Sequence, residues 1–220
     1  MITPPKPPAE RRLVAIEGLP GSGHSEFAHW IGDQNDWYAA CGEQPVSLSG
    51  GARASLLSPL LQNLLDRYEW MQGLVGTDLF RERIVTDYLF EAHRLWARVL
   101  LSEKDWALYQ KIATVIVPPP IVPDLVVYIQ APEDELLETL RTLNKNVEAA
   151  KWRDLVTSFN HHFFAYEATP LLVVRTGTSQ WLGSDEAKSA LLQRILEVRG
   201  AKTYLSGQVD AWAGGNPTGD

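Results

Sequence analysis

Residues 13–25 read Leu13-Val-Ala-Ile-Glu-Gly18-Leu-Pro-Gly21-Ser-Gly23-His24-Ser25. A short apolar run, Leu13 to Ile16, stops in a turn carrying three glycines, and Ser25 to Ile31 then has the apolar spacing of a helix. The order is strand, loop, helix. Gly18, Gly23 and Ser25 match the phosphate-loop pattern of Gly, four residues, Gly, Lys, Ser or Thr at every fixed position except the lysine, where His24 stands. Glycines let the backbone curl until successive N–H groups point inward, and the following helix adds its positive end. The expected contacts of a bound nucleotide are therefore Gly18, Gly21, Ser22, Gly23, His24 and Ser25, with the Ser25 hydroxyl also placed to coordinate Mg²⁺. An imidazole, with an ordinary pKa of about 6.5, is shorter than lysine and mostly neutral at pH 7. The alternative is a glycine-rich strand-to-helix turn that holds no ligand.

Outward from this turn, Leu56 to Gly73 and Asp78 to Val115 carry apolar residues at three- and four-residue intervals, interrupted near Gly76, which predicts two long helices. After Pro118 to Pro120, the run Asp124-Leu-Val-Val-Tyr-Ile129 is apolar throughout and of strand length, as for a buried parallel strand. Helical spacing returns over Glu133 to Leu143 and Ala149 to Tyr166, a strand over Leu171 to Val174, and a helix over Ser184 to Val198. Strands separated by helices imply an α/β fold of three layers, a doubly wound parallel sheet flanked by long helices. Residues 1–12, rich in proline up to Ala9 and ending in Arg11 and Arg12, are expected to form a flexible arm. Residues 13–206 form the domain, and 207–220 are an expected flexible tail.

The 220 residues are 45% hydrophobic, enough for one sizeable core. A net charge of −7 and a pI near 5.3 give no general attraction for nucleic acid or anionic lipid. With Cys41 the single cysteine, no intrachain disulfide can form, and no apolar run approaches the roughly 20 residues that span a bilayer. Cytoplasmic location, without a nucleic-acid or membrane partner, is the expectation. His161 and His162 lack further ligands at metal spacing and read as one packed and one solvated residue. The eight tryptophans read as core, with Trp96, Trp106 and Trp152 as alternative lining of a dimer or partner surface.

The loop, together with Arg67-Tyr-Glu, Leu79-Phe-Arg-Glu-Arg-Ile-Val-Thr-Asp87-Tyr-Leu-Phe-Glu, Leu101-Ser-Glu-Lys-Asp-Trp-Ala-Leu-Tyr109, Pro123-Asp-Leu-Val-Val-Tyr128 and Pro170-Leu-Leu-Val-Val174, resembles the bacterial deoxynucleoside kinases, P-loop enzymes of the nucleoside and nucleotide kinase type. The resemblance runs from Leu13 to about Ser206. It implies a doubly wound P-loop kinase fold, a dimer, and, in active members, transfer of the γ-phosphate of ATP to a deoxynucleoside 5′-hydroxyl.

Carried over residue by residue, that resemblance departs from the family's pattern at several places. Glu43 matches the family's general base, but a shortened Ser- and Gly-rich stretch follows it, so a solvated loop residue is the other reading. Asp87 matches an acidic residue near the metal and the 5′-hydroxyl, with a helix-surface carboxylate as the alternative. Arg67 matches the base-reading arginine, whereas the family's glutamine falls on Leu60 and its aspartate on His93. The three phosphate-clamping arginines of the lid fall on Thr139, Leu143 and Lys145, with Arg141 out of phase. Arginines in that role can be worth about a thousandfold or more in rate.

The reading that follows is a pseudokinase, a degenerate member of the family retained for binding ATP or another nucleotide with Mg²⁺, or for protein interaction. An active kinase is the second reading, with Lys145, Arg141 or the Arg11 and Arg12 pair compensating. A third is an empty-site scaffold subunit pairing with an active relative or another protein. Two long apolar-striped helices beside one thin sheet leave apolar surface to cover, so a homodimer, or a heterodimer with a related kinase, is expected through the helices between Leu56 and Val115. Light scattering at high micromolar concentration is expected to give at least twice the 24.6 kDa chain mass; a monomer would count against this assembly.

Overall fold

Aliphatic runs with alternating partners set the sheet. In a computed structural model that describes residues 13–34, 37–42, 55–77, 83–116, 122–143, 148–176 and 179–206, six strands pair side by side, all parallel. They are β1 (Leu13–Gly18), β2 (Tyr38–Ala40), β3 (Ile84–Thr86), β4 (Leu125–Gln130), β5 (Leu171–Arg175) and β6 (Lys202–Ser206), in the order β2-β3-β1-β4-β5-β6. The helices are α1 (His24–Gln34), α2 (Leu57–Thr77), α3 (His93–Leu100), α4 (Glu103–Ile116), α5 (Glu133–Leu143), α6 (Ala149–Phe164) and α7 (Asp185–Glu197), with short 3₁₀ helices at Phe90–Ala92 and Ser179–Gly183. The expected arm 1–12, the tail 207–220, Glu43 and Lys145 lie outside the described residues.

β1 is the switch point of the sheet. The chain first adds β2 and β3 on one side of β1, then crosses to add β4, β5 and β6 on the other. Neighbouring connections leave in opposite directions there, opening a crevice at the carboxyl ends of the strands. The glycine turn after Gly18 lies at that crevice.

Side-chain alternation divides the interior into two cores. Val14, Ile16, Leu125, Val127, Leu172 and Val174 face α1 and α7, whereas Ala15, Val126, Tyr128, Leu171 and Val173 face the larger layer containing α2 to α6. Trp152 and Trp96 belong to that larger core, 0% and 8% exposed and packed edge to face, so neither lines an outer surface. Trp106 is half-buried and stacked on Tyr109. α5 opens with Glu133, Asp134 and Glu135 and has Arg141 in its last turn, a charge order that suits the helix dipole. Among the described residues, no helix is long and apolar enough to cross a membrane.

One expectation fails. The stretch from Asp78 to Val115 is not one helix: it contains β3 and the 3₁₀ turn before α3 begins at His93, and Leu101 and Ser102 separate α3 from α4. A strand of three residues is too short to show its own period, and Ile84, Val85, Leu89 and Ala92 continue a helical spacing by coincidence.

His93 is a core residue, 2% exposed, stacked on Tyr109 and hydrogen-bonded through Nδ1 to its hydroxyl at 2.9 Å. Burial, assisted by the Arg67 charge, lowers its pKa to about 3. A base depressed in the folded state contributes stability above its unfolded pKa that is lost as pH falls toward the folded value. Relative to His93→Phe, the wild-type chain is therefore expected to lose about 2 kcal/mol of stability between pH 6.5 and 5. Urea denaturation of both proteins across that range measures it, and parallel curves would show that His93 does not resist protonation.

Candidate phosphate-binding site

The crevice at the end of β1 is built around a turn that only glycine fits. Gly21 and Gly23 have φ of 94° and 84°, in the left-handed region that side chains rarely adopt. The Ser22 N–H donates to the Leu19 carbonyl at 2.9 Å, and Phe27 N–H to the Gly23 carbonyl at 3.0 Å, so the turn passes directly into α1. Gly18, Gly21, Ser22, Gly23, His24 and Ser25 thus form one curled segment at the start of a helix, as the sequence spacing predicts.

Neighbours close over this segment from two sides. A Cβ on Gly21 would lie 2.6 Å from Thr139 Oγ1, and one on Gly23 would overlap Leu182. Thr139, a lid-arginine position in the resemblance, instead packs on the loop and donates its hydroxyl to the Glu135 carbonyl at 3.1 Å. Arg141 is exposed on the same helix.

His24 points its Nδ1 at Ser22 Oγ, 3.0 Å away within the loop, and is 5% exposed. Burial pulls its pKa down to about 4, opposed by the Asp87 carboxylate and reinforced by Arg67. At neutral pH it carries no charge. The position that holds the γ-phosphate in phosphate-loop enzymes is here a neutral ring already paired with a hydroxyl.

Asp87, just beyond β3, is brought to the loop. It accepts the Ser25 hydroxyl at 2.5 Å and the Gly42 N–H at 3.1 Å. It is a buried site carboxylate and not a helix-surface one. Hard oxygen donors of this kind fit Mg²⁺, which takes one or two carboxylates and completes its shell with water and phosphate. Ser25 and Asp87 are the residues that would hold it. Among the described residues, no group of three or more His, Cys, Asp or Glu forms a fuller metal site.

Arg67 lies across the crevice on α2, its guanidinium 4.4 Å above the centre of the Tyr88 ring, while the Tyr88 hydroxyl donates to the Arg67 carbonyl at 3.5 Å. Its charge acts on Glu17, His24, Tyr88 and His93. Leu60, at the position of the family's glutamine, is fully buried in the larger core.

Sequence reasoning passed over Glu17. At the end of β1 and 4% exposed, it accepts the N–H of Gly18 at 3.0 Å and that of Leu89 at 2.6 Å. Burial dominates and lifts its pKa to about 7, against the two backbone donors and Arg67. The available signal was a lone carboxylate between Ile16 and Gly18 at the end of a buried run, where a charge is costly unless it is paired.

No family model matches the chain, and no curated protein matches it. Solved structures do. A deoxyadenosine kinase from M. mycoides with bound dATP superposes with a TM-score of 0.62 at 14% identity, covering 84% of this chain and all of the other. The same kinase with dCMP and dCDP gives 0.61 at 14% identity, and with dCTP 0.60 at 12%, each covering 84% of this chain and 98% of the other. At such identity the likeness is one of fold: the chain has a deoxynucleoside kinase-like P-loop fold.

Proposed function

We propose that this chain is a deoxynucleoside-kinase-like pseudokinase that keeps a nucleotide-binding loop and has lost efficient phosphoryl transfer. The observation that carries it is His24, buried and neutral at the lysine position and hydrogen-bonded to Ser22. Thr139, uncharged and packed on Gly21, supports it from the lid side. Phosphoryl transfer depends on positioning and on neutralising charge spread over the γ-phosphoryl oxygens. The loop backbone, Ser25 and Asp87 supply positioning and a Mg²⁺ seat; neither His24 nor Thr139 supplies the charge. Nucleotide binding draws further support from the similar fold that holds dATP in the M. mycoides kinase.

An active deoxynucleoside kinase is the second reading, favoured by Arg67, whose charge reaches both Glu17 and His24. Its guanidinium lies over Tyr88 on the α2 side of the crevice, an arrangement better suited to an acceptor than to the β- and γ-phosphates.

With ATP and Mg²⁺, each of the four common deoxynucleosides is expected to be phosphorylated far below the about 1 to 100 per second typical of kinases. A coupled assay giving even the lower of those rates would restore the active reading. His24→Lys is expected to tighten an ATP analogue by about tenfold, one charge-assisted contact, while turnover stays low. Calorimetric titration of both proteins checks the first half and the coupled assay the second. Unchanged binding would mean that the loop does not receive phosphate.

A further inference from the structure

The sheet ends on one side in β2, a strand of three residues, and on the other in β6, a strand of five. β6 pairs with β5 along its whole length, from Leu171↔Lys202 to Arg175↔Ser206. Among the described residues no strand pairs with its outer side. In a parallel pair the N–H and C=O of one residue face the same neighbour, and those of the next residue face away. Leu171 N–H donates to the Ala201 carbonyl at 2.9 Å, which turns residues 201, 203 and 205 toward β5. The N–H and C=O groups of Lys202, Tyr204 and Ser206 therefore point out of the sheet edge.

Edges of this kind are commonly blunted by proline, a bulge or a protruding charge, because open backbone groups template the addition of another strand. β6 reads Lys-Thr-Tyr-Leu-Ser, without proline or glycine and in unbroken register. Its one charge is drawn inward: Lys202 Nζ donates to the Phe164 carbonyl, 2.6 Å away. Of the five large apolar side chains exposed among the described residues, two belong to this edge, Tyr204 at 48% and Phe164 at 73%. The edge is thus open, apolar and unguarded.

It also matches itself. With two copies set antiparallel about a two-fold axis through Tyr204, that residue faces its own counterpart, and Lys202 faces Ser206 of the second copy. All three outward residues then fall in hydrogen-bonded pairs, each exchanging two N–H···O bonds. A slip of one residue would set outward groups against inward ones and lose the ladder. Among the registers that pair outward residues, this one uses all three and keeps the two lysines apart. Arg175, beside Ser206 on β5, is turned away onto Gln130 Oε1, 2.9 Å from its Nε, and does not meet the incoming Lys202.

We propose that β6 is the contact between two copies of this chain, joining their sheets across a two-fold axis. The backbone ladder attaches the copies, and the facing Tyr204 rings add a cross-strand aromatic pair. Such a contact closes on itself, so it joins two copies and no more. None of its residues falls in Leu56 to Val115, the stretch from which a dimer was expected.

Sedimentation of the full chain, with amide exchange followed residue by residue, tests this. Ser206→Lys sets like charges opposite each other at both ends of the ladder, and Tyr204→Pro removes an outward N–H that β5 does not use. Each is expected to halve the mass of the wild type at high micromolar concentration. At a concentration low enough to dissociate the wild type, both variants should melt within about 2 °C of it. Exchange of the Lys202 and Tyr204 amides in the wild type is expected to slow at least about tenfold between low and high micromolar concentration, while Thr203 and Leu205, bonded to β5, stay slow throughout. A monomeric wild type, or a mass unchanged in both variants, would overturn the proposal. So would Lys202 and Tyr204 amides protected equally at every concentration, because another segment of the same chain would then cover the edge.

Discussion

A single buried carboxyl group joins the two halves of the site. Glu17 closes β1, and its two oxygens receive the backbone N–H of Gly18, which opens the phosphate loop, and of Leu89, which lies beyond β3. One short side chain thereby ties the loop to the crossover that carries Asp87, and Asp87 returns the connection through Ser25 and Gly42. The Arg67 charge acts on Glu17 and on His24. In a site so little exposed to water, this set of contacts fixes where a phosphate or a metal would sit before either arrives. Burial acts on Glu17 and His24 in opposite senses, raising the acid to about 7 and lowering the base to about 4, so each favours its uncharged form near pH 6.

Shape and charge are separated in this crevice. The positive-φ glycines and the helix start give the backbone curl that a phosphate loop needs, and Ser25 and Asp87 set two oxygen donors beside it. The side chains that pack in and on the loop, His24 and Thr139, are a neutral ring and an uncharged hydroxyl. A nest of backbone N–H groups offers partial charges wherever the glycines allow it, so binding geometry can persist after side-chain charge is gone. Transfer is more demanding, because charge must be neutralised as it develops. The proposed pseudokinase reading rests on that difference, and Arg67 is a cation whose charge still reaches Glu17 and His24.

The larger core explains how so altered a site keeps its frame. Trp152, Phe159, Phe163 and Trp96 interlock beneath α3 and α6, and Tyr128 stacks on Phe163 with ring centres 4.1 Å apart. Tyr128 also donates to Asn160, which links the middle of the sheet to α6. Tyr128 stands on β4, the neighbour of β1, so this packing anchors α6 to the strand beside the loop.

Neighbouring residues made much of this legible. The apolar runs of β1, β4 and β5, the helical spacing of α5 and α6, and the glycine turn each depend on residues a few positions apart, so composition and period suffice to place them. The parallel sheet and the loop at its edge followed. β3 escaped because three residues carry no period. Tertiary structure decided what each site residue is. It made His24 a buried neutral ring, set Thr139 on the loop, placed His93 in the core, and turned Glu17 from an unremarked strand end into the joint of the site. Glu17 and Leu89 are 72 positions apart, Ser25 and Asp87 62. Burial and pairing set whether a side chain is charged, and both come from residues that only the folded chain brings together.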